Sequence, residues 1–266
     1  MDLRLAGKKA FVSGSTQGIG YAIAAALAAE GVQVTLNGRD AERLDSAVAR
    51  LGAEHPESHP TGLVADFAKP DEVARLLADL ADLGDVDILV NNVGLFGLAD
   101  FSATSDDDWS RYLDVNVMSA VRLSRQVLGG MLERRWGRII SISSESGVNV
   151  PADMVHYGVT KAAMIALNNG LAKLTRGTEV TVNTVLGGPT YSDGVAATVA
   201  AVAEAQSLPA DAMKQAIIGQ NATTLLERFL DPTEIASLVT YLASPLASAT
   251  NGAAVRADGG VLTAML

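Results

Sequence analysis

The chain has 266 residues, a formal net charge of −10, 48% apolar and 19% charged residues, and no cysteine. Such a composition describes a folded chain that buries a large core. It excludes disulfides, thiolate metal sites and the basic surface expected of a nucleic-acid-binding protein. No apolar run reaches the ~18–20 residues of a membrane span, and the first residues lack the apolar core and cleavage site of a signal peptide. A cytoplasmic protein with no membrane partner is expected, its negative charge serving solubility.

The first predicted strand, Lys9-Ala10-Phe11-Val12-Ser13, meets a glycine stretch, Gly14-Ser15-Thr16-Gln17-Gly18-Ile19-Gly20. A helix from Tyr21 to Glu30 follows, with Gly31 placed to stop it. A second strand spans Val32–Leu36, and a second helix Ala41–Leu51. Further strands are predicted at Gly62–Ala65, Asp87–Val90, Arg138–Ile142, Val180–Val185 and Ala253–Arg256. Helices fill the gaps at Asp71–Leu83, Asp106–Arg135, His156–Thr175 and Pro232–Leu242. Ser105 before three aspartates marks a helix start, with acids at the positive end of the dipole, rather than a metal site.

Short strands alternating with long helices predict βαβ units. Strands apolar at successive positions, such as Ile88-Leu89-Val90, predict burial on both faces. The expected fold is α/β, a single-domain Rossmann-type doubly wound parallel sheet of about seven strands. Residues 1–266 form one dinucleotide-binding and catalytic domain in this reading. The Ala- and Val-rich span from Gly187 to Leu226 breaks the rhythm at the C-terminal end of a strand, where such sheets bind ligands. It is expected to be a substrate lid, with Val195, Val199, Val202, Met213 and Ile217 as an apolar cover; an oligomer contact is the alternative.

Gly14, Gly18 and Gly20, between the first strand and first helix, suit close approach of a pyrophosphate to a helix N-terminus. At the end of the second strand, Gly38 stands where an NAD-selective fold places an acid, and Arg39 follows it. A guanidinium grips a 2′-phosphate in bidentate fashion, which favours NADP. The adjacent Asp40, and Gln17 in place of a second basic residue in the glycine loop, keep NAD as the alternative. Tyr157 and Lys161, four apart, share one helix face. A tyrosine works as an acid or base near neutrality only when its phenolate is stabilised, and a neighbouring ammonium supplies that. The pair alone is a weak signal; Ser144, just past a strand at the ligand-binding edge, strengthens it.

These motifs resemble the short-chain dehydrogenase/reductase family in its compact single-domain branch. The resemblance runs from about Leu5 to Gly260: Ser13 to Gly20, Asp66, Asn91-Asn92-Val93-Gly94, Asn116, Ser143 to Gly147, Tyr157 to Lys161, and Ala257-Asp258-Gly259-Gly260. It implies a reductase or dehydrogenase acting on a small ketone or secondary alcohol. Tyr157 is then the proton donor or acceptor, Ser144 bonds the substrate oxygen, and Lys161 lowers the Tyr157 pKa and binds the nicotinamide ribose. Asn116 holds a water behind Lys161. The cofactor contacts implied are Gly14, Ser15, Thr16, Gln17, Gly18, Ile19, Gly20, Arg39, Asp66, Phe67, Asn92, Gly94, Tyr157, Lys161, Pro189, Thr190 and Ser192. Asn91 would share the adenosine site with Gly94, and Val185 would approach the carboxamide. The family also implies a homotetramer or homodimer; Ala162, Ala163 and Ala166 are compatible with close helix packing.

Three features depart from the family pattern or stand beside it. Gly187 replaces a usual proline, which is expected to free the following loop, and Val93 replaces an alanine. Glu145 directly follows Ser144, and is expected to face solvent. Three scattered histidines, His55, His59 and His156, make no metal ligand set, and Trp109 and Trp136 read as packing residues. Alternatives on the same scaffold are a lyase or epimerase with a transient redox step, which normally needs a larger substrate domain, and a non-enzymatic nucleotide sensor. A sensor would be expected to lose Tyr157 or Lys161, and both are present.

Overall fold

In the computed structural model, which describes residues 1–206, 208–220 and 223–265, seven parallel strands form one sheet covered on both faces by helices. The strands are β1 (Lys9–Val12), β2 (Gln33–Gly38), β3 (Thr61–Val64), β4 (Ile88–Asn91), β5 (Trp136–Ser144), β6 (Glu179–Gly187) and β7 (Ala254–Ala257). The helices are α1 (Gly18–Ala29), α2 (Ala41–Glu54), α3 (Pro70–Asp82), α4 (Asp106–Tyr112), α5 (Ser119–Glu133), α6 (Val155–Leu174), α7 (Asp193–Ala205), α8 (Ala210–Gln220) and α9 (Pro232–Ala243). The sheet order is β3-β2-β1-β4-β5-β6-β7. After β3 the chain crosses back to the other side of β1, so a crevice opens beyond the C-terminal ends of β1 and β4.

Alternate strand residues feed opposite faces. Ala10 and Val12 of β1 pack with Ile23, Leu27, Val239 and Leu242 of α1 and α9. Phe11 points the other way, into a second core with Leu76 and Leu80 of α3 and Leu123, Val127 and Met131 of α5. No helix among the described residues is long and apolar enough to cross a membrane.

All seven predicted strands form, but their ends carry the site further than expected. β5 extends to Ser144, so that residue closes the strand instead of following it. β6 extends to Gly187, which pairs with Ser144 on one side and Ala257 on the other. The freer loop expected from glycine at 187 is therefore not found at that residue; the sheet holds it. The predicted helix Asp106–Arg135 is interrupted by a π-helical turn, Leu113–Met118, between α4 and α5. At its start Ser105 and Asp108 cap each other reciprocally, the structural use of the acidic cluster.

Two helices, α7 and α8, occupy most of the span from Gly187 to Leu226; its residues Ser207, Asn221 and Ala222 lie outside the described ones, as does Leu266 of the 1–266 domain. Val199, Ala203 and Met213 form a small core between them, with Val195 and Val202 packed against it. The expected apolar cover is thus corrected. Four of its five members pack within the helical pair, because two amphipathic helices satisfy each other first, and Ile217 is exposed.

Candidate active site

The site is built from the loops that leave β1, β4, β5 and β6. Gly14 and Gly18 take positive φ values, +61° and +59°, which glycine adopts without strain. A Cβ at Gly20 would come 2.3 Å from the Gly14 carbonyl oxygen and 2.5 Å from Asn92 Nδ2. This close packing draws the turn against the β4 loop. Asn92 fastens it, Nδ2 donating to the Ser13 and Gly14 carbonyls at 3.0 and 2.9 Å. Asn37, at the end of β2, accepts from Gly14 N–H at 3.0 Å. Ser15 is spent on Val12 and Asn37, and Ile19 packs on the core.

The N-terminus of α1 has no side-chain cap from Gln17, so its N–H groups and dipole are offered to an anion. One takes that offer: Gly18 N–H donates to Asp193 Oδ2 at 2.7 Å. Asp193 is the first residue of α7, and Ser192 lies against Gly18 beside it. Asp193 escaped the sequence reading because 175 residues separate it from its partner.

Gly38 is buried at the end of β2, and a Cβ there would fall 2.4 Å from Thr16 Cγ2. A side chain at this position would require the Thr16 methyl to move. Arg39 follows on the surface, while Asp40 is occupied as the cap of α2, accepting from Arg43 N–H at 2.9 Å. Asp66 likewise serves its own turn, accepting from Ala68 N–H at 3.0 Å. The Phe67 side chain lies in the core, so a contact from that position comes from its backbone. Pro189 and Thr190 tie the start of the α7–α8 segment to the stretch before α9: Leu230 N–H donates to the Pro189 carbonyl at 2.8 Å, and Thr190 bridges to Leu230. Thr190 Oγ1 donates to the Gly188 carbonyl at 2.9 Å.

Ser144, Tyr157, Lys161 and Asn116 come together, and Gly94, expected at the adenosine site, lies beside Lys161 instead. Tyr157, on the first turn of α6, lies beside Ser144. Burial holds its phenol above the ordinary range, opposed by Ser144. Lys161 is fully buried and its pKa is lowered to about 8 by burial, with the Glu145 charge opposing. Its Nζ donates to the Ile142 carbonyl at 2.8 Å and sits 5.5 Å from the Tyr157 ring centroid. A Cβ at Gly94 would lie 3.5 Å from that Nζ. Asn116 sits in the π-helical turn and clamps Leu95, accepting from its N–H at 2.6 Å and donating to its carbonyl at 3.0 Å. It also donates to Thr160 Oγ1 at 2.9 Å, so its amide is fixed by the walls of the site.

Two features of the centre differ from expectation or were missed. Glu145, expected to face solvent, turns inward and accepts a hydrogen bond from the Ser144 hydroxyl at 2.5 Å. The cause is the tight turn Glu145–Gly147, which packs on α6; a Cβ at Gly147 would meet the Lys161 backbone at 2.8 Å. Phe96 packs edge-on against the Tyr157 ring, centroids 5.6 Å apart, and is otherwise exposed, putting apolar surface beside the reactive hydroxyl. His156 faces Tyr112 and Trp109 instead, as a packing residue. Among the described residues no cluster of His, Cys, Asp or Glu could hold a metal ion.

Asn91 of β4 lies below the crevice in the core, bonded to Ser124 and Ser141, so it supports the site from beneath and does not line it. Val185 is fully buried in β6.

A family model described as short chain dehydrogenase matches residues 8–203. The chain is 42% identical to the uncharacterized oxidoreductase YvrD of Bacillus subtilis, with all of both chains covered. It is 31% identical to a D-beta-hydroxybutyrate dehydrogenase of Cupriavidus necator, covering 96% of this chain and 98% of that one. Among solved structures, L-sorbose reductase from Gluconobacter frateurii, complexed with NADPH and L-sorbose, superposes with a TM-score of 0.94 at 30% identity over the whole of both chains.

Proposed function

The chain belongs to the short-chain dehydrogenase family, and from that premise we propose that it is an NADP(H)-dependent reductase of a small ketone, with the secondary alcohol as product. The observation that carries this is the meeting of Tyr157, Ser144 and Lys161 at the end of the crevice. The residues fit a dinucleotide: the N-terminus of α1 already binds an anion, the Asp193 carboxylate. Gly14, Gly18 and Gly20 with the Asn92-held turn would hold the pyrophosphate, and Lys161 would bind the nicotinamide ribose. When bound, the nicotinamide supplies the hydride that the carbonyl carbon accepts.

The protein's own part is proton transfer and orientation. Tyr157, held protonated by burial, gives its proton to the substrate oxygen, and Ser144 orients that oxygen. The Lys161 cation stabilises the phenolate left behind. Asn116 keeps the Leu95 backbone, and so the roof of the site, in place. The helices α7 and α8 are read as a lid, joined to the cofactor loop through Asp193. The small residues on α6, with Ala166 exposed, suit association of copies as a homodimer or homotetramer, which native mass spectrometry would count.

A panel of ketoses, 3-keto esters and hydroxy acids, including L-sorbose and D-β-hydroxybutyrate, followed by NAD(P)H absorbance, tests the reading. Oxidation or reduction of none of them would overturn it. Arg39 is expected to grip the 2′-phosphate: Arg39→Ala should weaken NADPH about 10- to 100-fold, the worth of a charge-assisted hydrogen bond, and leave NADH unchanged. Equal affinities of the wild type for the two cofactors would refute the phosphate contact.

Asp193 and a pyrophosphate compete for the same N–H group. Asp193→Asn, which keeps the size and removes the charge, should tighten NADPH about threefold to tenfold, as about 1 kcal/mol of competition is relieved. Titration by NADPH fluorescence reads this directly, and weaker binding in the variant would show that the carboxylate assists instead.

A further inference from the structure

The Ser144 hydroxyl has one proton to give and can accept two hydrogen bonds. In the structure its proton is already committed. Ser146 N–H donates to Oγ at 3.1 Å, and the hydroxyl donates to Glu145 Oε2 at 2.5 Å. Ionised Glu145 can only accept. Ser144 therefore points its proton away from the place where a substrate carbonyl, which also only accepts, would need it.

Protonation of Glu145 reverses the contact. Its O–H then donates to Ser144 Oγ, which accepts from Glu145 and Ser146 and turns its own proton outward. The Tyr157 hydroxyl then donates to the same substrate oxygen. We propose that Glu145 is a positioning residue whose protonation switches Ser144 from a hydrogen-bond donor to Glu145 into a donor to the substrate carbonyl, so that the protonated form is the one competent for reduction. The proposal rests on the reductase reading above.

The surroundings favour the protonated form more than they would that of an exposed carboxyl. Burial pushes the Glu145 carboxyl above the ordinary carboxylate range, with hydrogen bonds from Ser144 and Ser146 opposing. The turn Glu145–Gly147 packs against α6 and β6. From α6 the titratable groups facing Glu145 are Tyr157 and Lys161. The acid of β6, Glu179, stands at the opposite end of that nine-residue strand. Tyr112 of α4 acts on Tyr157 in turn.

The test is the pH dependence of kcat/KM for NADPH-driven reduction of whichever panel carbonyl compound the wild type turns over fastest. Both Glu145 and Lys161 must be protonated in the wild type, so above both pKa values the rate should fall about a hundredfold per pH unit, two protons being lost. Glu145→Gln donates from its amide to Ser144 at every pH. Its rate should fall no more than about tenfold per unit, from an acid plateau at least equal to the wild type's. The remaining Lys161 limb should move to lower pH, because the charge that favoured the cation is gone.

Glu145→Asp keeps a titrating carboxyl and the steep fall, with its onset moved toward acid pH, and is readable even where the Gln variant does not fold. A two-proton fall surviving in Glu145→Gln overturns the proposal, and so does an unmoved onset in Glu145→Asp. So too does a Gln variant slowed at every pH with NADPH binding intact and the rate restored by Asp, which would show that the anion is needed. A wild type that binds NADPH and reduces none of the panel overturns the reductase reading, and this proposal with it.

Discussion

Tyr157→Phe is expected to cut turnover by about 10²- to 10⁴-fold, the usual contribution of a positioned general acid, while NADPH still binds within a few-fold of the wild-type affinity. The substitution removes one hydroxyl and keeps the ring, so the edge contact with Phe96 survives. The proposed anion end of the cofactor site, around Gly18 and Arg39, lies on other elements and is untouched. Burial already keeps the Tyr157 phenol protonated near neutrality, which is the state a reduction needs. Loss of the hydroxyl therefore removes a proton that is present and aimed, and its effect should fall on kcat more than on KM. Single-turnover measurement with saturating NADPH separates the two. Turnover within threefold of wild type would remove Tyr157 from the chemistry and require another acid.

The parts of this site that depend on local pattern are the parts legible in the sequence. The glycine turn after β1, the Tyr157–Lys161 spacing and the seven strands each follow from a short stretch of chain, through backbone freedom, helix periodicity or apolar runs. What could not be read depends on which surfaces meet. The valines of α7 were apolar at helical spacing, and nothing local says whether such a stripe faces a substrate or another helix; in the fold they meet Met213. Glu145 has a solvent-facing composition, yet the turn after β5 is pressed onto α6 and folds the carboxylate inward. Asp193 reaches Gly18 only because the start of α7 returns over the first βα turn. The π-helical turn that aims Asn116 at Leu95 breaks no propensity rule and leaves no mark in the residues themselves.

Arg138 is a stronger instance, and its replacement is expected to have the largest effect on stability. It reads as the polar first residue of a strand, yet in the fold it is 1% exposed at the end of the sheet remote from the active site. Its guanidinium donates to the Gly137 carbonyl at 2.9 Å, the Glu179 carbonyl at 2.6 Å and the Ser244 carbonyl at 3.4 Å. One side chain thus joins the starts of β5 and β6 to the end of α9, with the Trp136 ring 4.7 Å beneath it. Burial opposes the charge and lowers the guanidinium to about 10, which still leaves it ionised at neutral pH. Two effects then compete in Arg138→Met. Removing a desolvated charge is favourable, but three carbonyls lose this donor, at about 1–3 kcal/mol for a buried one left unsatisfied; the Ser244 carbonyl keeps another, Ala247 N–H at 3.2 Å. Because the partners are carbonyls that cannot change protonation state to escape the loss, the second effect should win. A net loss of about 3 kcal/mol corresponds to a fall in Tm of about 6–12 °C for a chain of this length. Arg138→Lys, keeping the charge with fewer donors, should lie between. The active site should bind NADPH normally in any fraction that remains folded, because the glycine turn stands at the opposite sheet edge. Thermal unfolding of the two variants settles the matter: a Met variant melting within about 2 °C of wild type would mean that α9 and β6 are held together by packing alone.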